Sequence, residues 1–325
     1  MTHAIRIYET GGPEKMRWEQ TQVEKPGPTE VLVRNTAIGL NFIDTYYRSG
    51  LYATQLPFIP GSEGAGVVEA VGKKVKEFKK GDRVAYANPM GSYAETVLRP
   101  ADRLVKIPTG ISDSIAAAIM LKGMTAHYLL HRTYKVKKGD TILVHAAAGG
   151  VGQILCQWAK HLGAIVIGTV STDEKAILAK KSGCKHVIVT SRESVSGRVK
   201  EITKGIGVHV VYDGVGKDTF MDSLDCLRPL GLMVSYGNAS GAVDPFSPAI
   251  LSKKGSLFLT RPSLHTYVEK REDLLNSARE LFKVVKKGVV KISINQTYQL
   301  KDAAKAHQDL ENRKTTGSTV LLPSA

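Results

Sequence analysis

Short runs in which apolar and polar positions alternate open the chain: AIRIYE, EVLVRNTAIG, GAGVVEAVG, GDRVAYA and SYAETVLR, set between glycine and proline turns up to about residue 122. A period of two places every second side chain on one face, so this part predicts a compact, barrel-like β-rich domain. From about residue 125 the rhythm changes. TILVHA, AIVIGTV, KHVIV, VHVVYDG and GLMVSYG are apolar runs separated by helical-length segments. Strands that alternate with helices require crossovers, which predicts a parallel, doubly wound sheet. The tail holds a helical pattern, REDLLNSARELFKVVKKG, then NQTYQL, KDAAKAHQDLENR and STVLLP, reading as strand, helix and strand. These return to the first domain. The expected fold class is therefore α/β, with a β-rich domain of residues 1–124 and 261–325 interrupted by a doubly wound domain of residues 125–260.

The first strand of the doubly wound part ends in Val144 and His145 and runs into AAAGGVG before the helix QILCQWAKHLG. Against the dinucleotide pattern GxGxxG the match is Ala147, Gly149 and Gly152, with Gly150 and Val151 between them and alanine at the first position. Glycines let a backbone approach a pyrophosphate, and free amides at a helix start hold its charge. A dinucleotide is the expected ligand. At the end of the second strand, where NAD enzymes place a carboxylate on the ribose, this chain reads GTVSTDEK. Thr169, Ser171 and Lys175 suit a 2′-phosphate, which favours NADPH, while Asp173 is the alternative ribose partner or a carboxylate at the next helix start.

The 325 residues carry 45 basic and 30 acidic side chains, a net charge of +15. The excess lies in short pieces such as KKVKEFKK rather than in a basic block with interleaved aromatics, which speaks for a solvated face and against a nucleic-acid groove. No apolar run reaches the about 20 residues of a membrane span, and MTHAIRIYETGG lacks the order of a secretory signal, so a cytoplasmic place is expected. Cys156, Cys184 and Cys226 are odd in number and far apart, and each reads as a buried small hydrophobe.

PGSEGAGVVEAVG, GDRVAYA, GDTILVHAAAGGVGQILCQWAK, VVYDGVG and GLMVSYGNASG together resemble the medium-chain dehydrogenase/reductase superfamily, and within it the zinc-free quinone oxidoreductases related to zeta-crystallin. The resemblance spans nearly the whole chain. It implies a GroES-like catalytic domain, a Rossmann domain, and metal- and flavin-free reduction of a quinone by NADPH in the inter-domain cleft, with release in one- or two-electron steps left open. Zinc alcohol dehydrogenases of this fold place a cysteine where the chain reads Asn41-Phe42-Ile43-Asp44 and a histidine where it reads Gly61-Ser62-Glu63. No four-cysteine lobe is present either, so no metal is expected.

By the same resemblance Asn41, Tyr46 and Tyr52 line the cleft near the nicotinamide and the acceptor, with the tyrosines as hydrogen-bond donors or ring walls, whereas Tyr47 reads as core. Asp44, Arg48 and Glu63 read as polar neighbours of that site. Gly123, Met124 and Thr125 match the link that meets the nicotinamide and phosphates. Tyr236, Gly237, Asn238 and Ser240 match the loop that closes on the nicotinamide, Val215 the adenosine side, and Arg261 and Arg313 arginines near the cofactor. Ser191 stands where relatives put a tyrosine on the 2′-phosphate, a departure that weakens the NADPH preference. His127, His131 and His145 read as core or surface histidines.

GSLFLTRP reads as an apolar edge strand, and pairing through residues 255–260 predicts a homodimer. Two other activities remain open: an enone or enal reductase on the same scaffold, for which Tyr46 or Tyr52 would be a needed proton donor, and a cofactor-binding structural or RNA-binding role.

Overall fold

The structure is a computed structural model that describes residues 2–323. The chain forms two compact units. One gathers the described residues of Met1–Met124, Val268–Lys286 and Ile292–Ala325; the other comprises Thr125–Tyr267 and Lys287–Lys291.

The first unit is built on a seven-stranded sheet. Its order runs Ile294–Gln299, Ser318–Leu322, Glu30–Leu40, Glu63–Val71, Arg83–Ala87 and Leu104–Lys106, with Thr96–Pro100 also pairing to Glu30–Leu40. The tail strand Ser318–Leu322 pairs antiparallel with the far end of Glu30–Leu40, setting Leu321 opposite Ile38. Thr2–Ile7 and Met16–Thr21 form a separate hairpin, whose inward residues Ile5, Ile7 and Met16 join a core with Ile38, Leu40, Tyr93 and Leu321. The helix Phe42–Ser49 follows the long strand directly, started by Asn41 and stopped by Gly50 at φ 84°. Glycine carries that left-handed C-terminal turn without a Cβ penalty.

In the second unit six parallel strands run in the order His186–Val189, Ile165–Val170, Thr141–Val144, Val208–Asp213, Leu227–Ser235 and Phe258–Thr260. Sequence order reverses between Thr141–Val144 and Val208–Asp213. In doubly wound sheets that switch point is where ligands sit, at the carboxyl ends of the strands. The strand residues Leu143, Ile167, Ile188, Val211 and Met233 pack with Val199, Phe220 and Leu224 from the helices.

All three cysteines are buried, as their neighbours predict. The structure also brings the thiols of Cys156 and Cys184 to 3.5 Å, a proximity the spacing did not reveal. Their hydrogen bond, together with burial, pushes the Cys156 thiol well up from its ordinary value.

The turn before the helix Gly150–His161 is tightly built. A Cβ at Gly152 would stand 2.3 Å from the Ala146 carbonyl oxygen and 2.8 Å from the Ala147 Cα, both main-chain atoms with no room to yield. Gly152→Ala is therefore expected to destabilise the protein by about 1–3 kcal/mol through backbone displacement. Urea unfolding of the variant measures this, and an unchanged midpoint would contradict the close approach.

Candidate functional site

In the second unit the candidate residues collect at the carboxyl edge of the parallel sheet. Gly149 is the N-cap of Gly150–His161 and makes no side-chain capping bond, so the first amides of a twelve-residue helix and its positive dipole end are left for an anion. Ala147 N donates to Thr169 O at 3.0 Å, tying the turn to the neighbouring strand end. Ala147 and Gly152 are buried, while Gly149, Gly150 and Val151 are half-buried.

Asp213, fully buried at the end of Val208–Asp213, organises the loops beside that turn. Its Oδ1 accepts from Val215 N at 2.8 Å, Gly216 N at 3.1 Å and Thr219 Oγ1 at 2.9 Å, and its Oδ2 from Ser223 Oγ at 3.0 Å. Ser223 Oγ also meets His145 Nε2 at 2.9 Å, and His145 Nδ1 meets Thr169 Oγ1 at 2.9 Å. Burial lowers the pKa of His145, opposed by the Asp213 charge. His145 is thus an internal tie, and the Thr169 hydroxyl is turned inward to it. The loop holding Tyr236, Gly237, Asn238 and Ser240 is joined to the Val215 loop: Tyr236 N donates to Asp213 O at 2.8 Å, and Ser240 N and Oγ donate to Val215 O at 2.8 and 2.9 Å.

At the far end of this edge, Ser171 and Lys175 are half-buried and Ser191 is exposed. Thr172 caps the next helix, accepting from Lys175 N at 3.3 Å. Asp173 is held by Arg192 through two bonds of 2.6 and 2.7 Å, and that guanidinium holds its carboxyl below the usual range. The carboxylate that could have served a ribose is thus neutralised by a cation next to Ser191. Arg261 is exposed in the second unit and Arg313 in the first, the latter with φ 59°. Gly123 and Met124 are buried at the end of the first of the first unit's three segments, followed by Thr125, also buried.

In the first unit the helix Phe42–Ser49 gathers the aromatic candidates. The Tyr46 and Tyr52 rings stand edge to face at 5.2 Å, and Tyr52 N donates to Tyr46 O at 3.1 Å. Tyr46 is buried, whereas Tyr47 is half-buried and packs against the core cluster around Ile38 and Leu321.

Beneath them lies a polar interior that sequence reasoning named only as neighbouring residues. Asp44 is fully buried and accepts from Asn41 N at 2.9 Å, Ser62 Oγ at 2.7 Å and Tyr93 OH at 3.1 Å. Arg48 NH1 lies 3.4 Å from His307 Nδ1 and can only donate, which assigns the ring proton to Nε2; that nitrogen donates to Tyr93 OH at 3.0 Å. Arg48 is anchored in turn by two bonds to Glu311, at 3.0 and 2.6 Å, and donates to Gly11 O at 3.1 Å. All donors point from Arg48 toward Asp44. Tyr93 and His307 were missed in the sequence because nothing near them in the chain marks them; only the fold joins them to Asp44.

Glu63, also fully buried, receives Lys122 Nζ at 2.6 Å and Asn41 Nδ2 at 2.9 Å on Oε1, and Leu121 N at 2.7 Å on Oε2. A Cβ at Gly39 would collide with Glu63 Oε1 and the Ala117 carbonyl, at 2.4 and 2.3 Å. Only glycine lets the strand pass there.

Comparison with known proteins places this arrangement. Residues 27–109 match the family described as alcohol dehydrogenase GroES-like domain, and residues 150–276 that described as zinc-binding dehydrogenase. The chain is 55% identical to quinone oxidoreductase of Pseudomonas aeruginosa, over 99% of this chain and all of the relative. It is 49% identical to 2-haloacrylate reductase of a Burkholderia species, over the whole of both chains. The crystal structure of Escherichia coli quinone oxidoreductase complexed with NADPH superposes with a TM-score of 0.97 at 49% identity, covering 99% of this chain and all of that one. The fold and these matches define a nicotinamide-type reductase of the medium-chain superfamily. Within it, the chain belongs to the zeta-crystallin-like quinone oxidoreductases.

The donor set does not fit the zinc that the second family's description implies. The stretches Asn41–Asp44 and Gly61–Glu63 hold neither cysteine nor histidine, and the Glu63 carboxylate is taken by an ammonium, an amide and a backbone N–H. Among the described residues no three His, Cys, Asp or Glu side chains cluster to hold a metal. The uncapped, glycine-bearing helix start, by contrast, fits a dinucleotide.

Burial raises the Asp44 pKa to about 7, from 3.8, and lowers that of His307 to about 3, from 6.5, with Arg48 adding to the latter. Between pH 4 and 6.5 the signs oppose. The folded state holds the Asp44 proton that the unfolded chain releases, so this group stabilises less as pH rises; His307 stays neutral where the unfolded ring is protonated, so its contribution grows as pH rises. Asp44→Asn is therefore expected to leave stability climbing with pH across this window, and His307→Gln to leave it falling. Urea titrations at stepped pH check this, and parallel slopes in the two variants would refute it.

Proposed function

We propose that this protein reduces quinones with NADPH, using neither metal nor flavin: quinone, NADPH and one proton give hydroquinone and NADP⁺. The observation that carries this reading is the pairing of a dinucleotide turn with a polar centre lacking the donors of a Lewis acid. Alcohol oxidation needs an alkoxide stabilised, whereas a quinone is already electrophilic. NADPH, when bound, supplies the hydride. The chain's residues bind, orient and shield.

In this reading the first helical amides, of Gly150, Val151 and Gly152, take the pyrophosphate, while Ala147 N and Gly149 N, bonded to Thr169 O and Ala146 O, hold the turn in shape for it. Ser171 and Lys175 serve the 2′-phosphate, with Thr169 holding the strand end through His145; Ser191 stands at that end in place of a tyrosine, and Arg313 serves the cofactor. Val215 packs on the adenosine side. Gly123, Met124, Thr125, Tyr236, Gly237, Asn238, Ser240 and Arg261 serve the nicotinamide and phosphates, and Asn41, Tyr46 and Tyr52 serve the nicotinamide and the acceptor. The buried thiols suit a reducing, cytoplasmic setting. No helix among the described residues is long and apolar enough to cross a membrane.

A second reading, reduction of an activated alkene, is favoured by the 49% identity to 2-haloacrylate reductase. Hydride addition to a carbon must there be followed by a proton, and Tyr46 and Tyr52 are the candidate donors. The measurement that separates the readings is nicotinamide oxidation with a chelator present, offering 1,4-benzoquinone and 2-chloroacrylate with NADPH or NADH. Quinone turnover, faster with NADPH, is expected. Tyr52→Phe should lower it less than about threefold, while a loss of about a hundredfold or more would mark the tyrosine as a general acid and favour the alkene.

We further propose a homodimer through the edge strand Phe258–Thr260. Phe258 is 60% and Leu259 36% exposed at the open side of the sheet. An apolar edge of this kind invites pairing with its symmetry mate. Light scattering should give twice the chain mass for the native protein and the single mass for Phe258→Lys; a monomeric native protein would exclude the interface.

A further inference from the structure

The quinone reading leaves unexplained why a lysine and a glutamate are held together inside the first unit. The side chains of Lys122 and Glu63 are 7% and 0% exposed. Desolvating two such groups costs several kcal/mol each, and a well-packed apolar pair is often at least as stable, so stability alone is a weak reason for them. Their geometry supplies another. An ionised carboxylate accepts on both oxygens and donates nothing, so Glu63 can serve Lys122 Nζ, Asn41 Nδ2 and Leu121 N together. A protonated or amide side chain would turn a donor toward one of them. The ammonium meets the carboxylate where water does not reach.

Asn41 is the residue this arrangement controls. Its backbone N–H is held by Asp44, and its side-chain amide by Glu63 Oε1, with Gly39 O at 3.3 Å as second acceptor. Lys122 lies on the helix Asp113–Tyr128, one residue before Gly123, where a Cβ would meet the Leu281 side chain at 2.5 Å and the main chain therefore packs closely.

We propose that Lys122 is a positioning residue for the reduction: a built-in cation that grips Glu63 Oε1 beside Asn41 and through that carboxylate fixes the Asn41 amide. This rests on the reading in which Asn41 faces the nicotinamide and the acceptor. Unlike a metal, the ammonium presents no open coordination position. It orders its neighbours without polarising an alcohol.

The test uses the full-length protein and four variants: Lys122→Met, the neutral pair Glu63→Gln with Lys122→Met, Asn41→Ala, and Lys122→Met combined with Asn41→Ala. Lys122→Met is expected to lower kcat for 1,4-benzoquinone by about tenfold or more while the Kd for NADPH, read by fluorescence, moves less than about threefold. Hydrogen exchange at the Leu121 amide should quicken. Adding Lys122→Met to Asn41→Ala should cost little further, because residues that act through one another do not add. The neutral pair answers the same questions if Lys122→Met fails to fold, and it too should lose kcat, since the glutamine nitrogen faces one of two donors. Native kcat in whichever of these variants folds, or losses that multiply with Asn41→Ala, would overturn the proposal. If the native protein reduces no quinone, the functional reading fails by itself, and unchanged Leu121 exchange without Lys122 would then still refute the hold on Glu63.

Discussion

A carboxylate removed from water must gather donors, and the loops around both candidate sites are shaped by that need. Asp213 draws in Val215 N, Gly216 N, Thr219 and Ser223, so the segment after its strand folds back on the strand end rather than running into solvent. Ser223 passes the connection to His145 and thence to Thr169, spanning three strand ends of the parallel sheet. Glu63 and Asp44 do the same in the first unit, where they grip the two polar groups of Asn41 from different sides. Unsatisfied buried charge is costly enough that such clusters admit few alternative arrangements, which makes them effective at fixing loops that bind ligands.

The overall architecture was legible because it rests on periodicity. Alternating runs marked Thr2–Ile7, Glu30–Leu40, Glu63–Val71 and Arg83–Ala87, and the five apolar runs of the centre became the parallel strands. The strands Met16–Thr21 and Leu104–Lys106 carry little signal, the first being mostly polar and the second only three residues long. The helices Phe42–Ser49 and Asp113–Tyr128 were also missed within a part read as strands; the latter is apolar on nearly all sides and so carries no amphipathic signal.

The sites were legible by type and less so by wiring. Glycines set between a strand and a helix of an alternating strand–helix pattern mark a candidate phosphate-binding turn. That Asp173 is paired with Arg192, that the thiols of Cys156 and Cys184 meet, or that His307 reaches Tyr93 depends on strands and helices brought together from distant parts of the chain. Such partnerships have no local signature, because each member is an ordinary residue in its own stretch. Tyr93 and His307 stand 214 positions apart.

The Lys122–Glu63 pair also bears on how such a protein can change over evolutionary time. Placing a cysteine at position 41 and a histidine at position 62 would bring soft donors beside a resident ammonium, and a divalent ion arriving there would meet repulsion instead of an empty socket. Removing the ammonium first would strand Glu63 without its partner, a loss of about 3–5 kcal/mol for a typical buried pair. Neither single step is favourable, so a metal site could arise beside this pair only if several positions changed together.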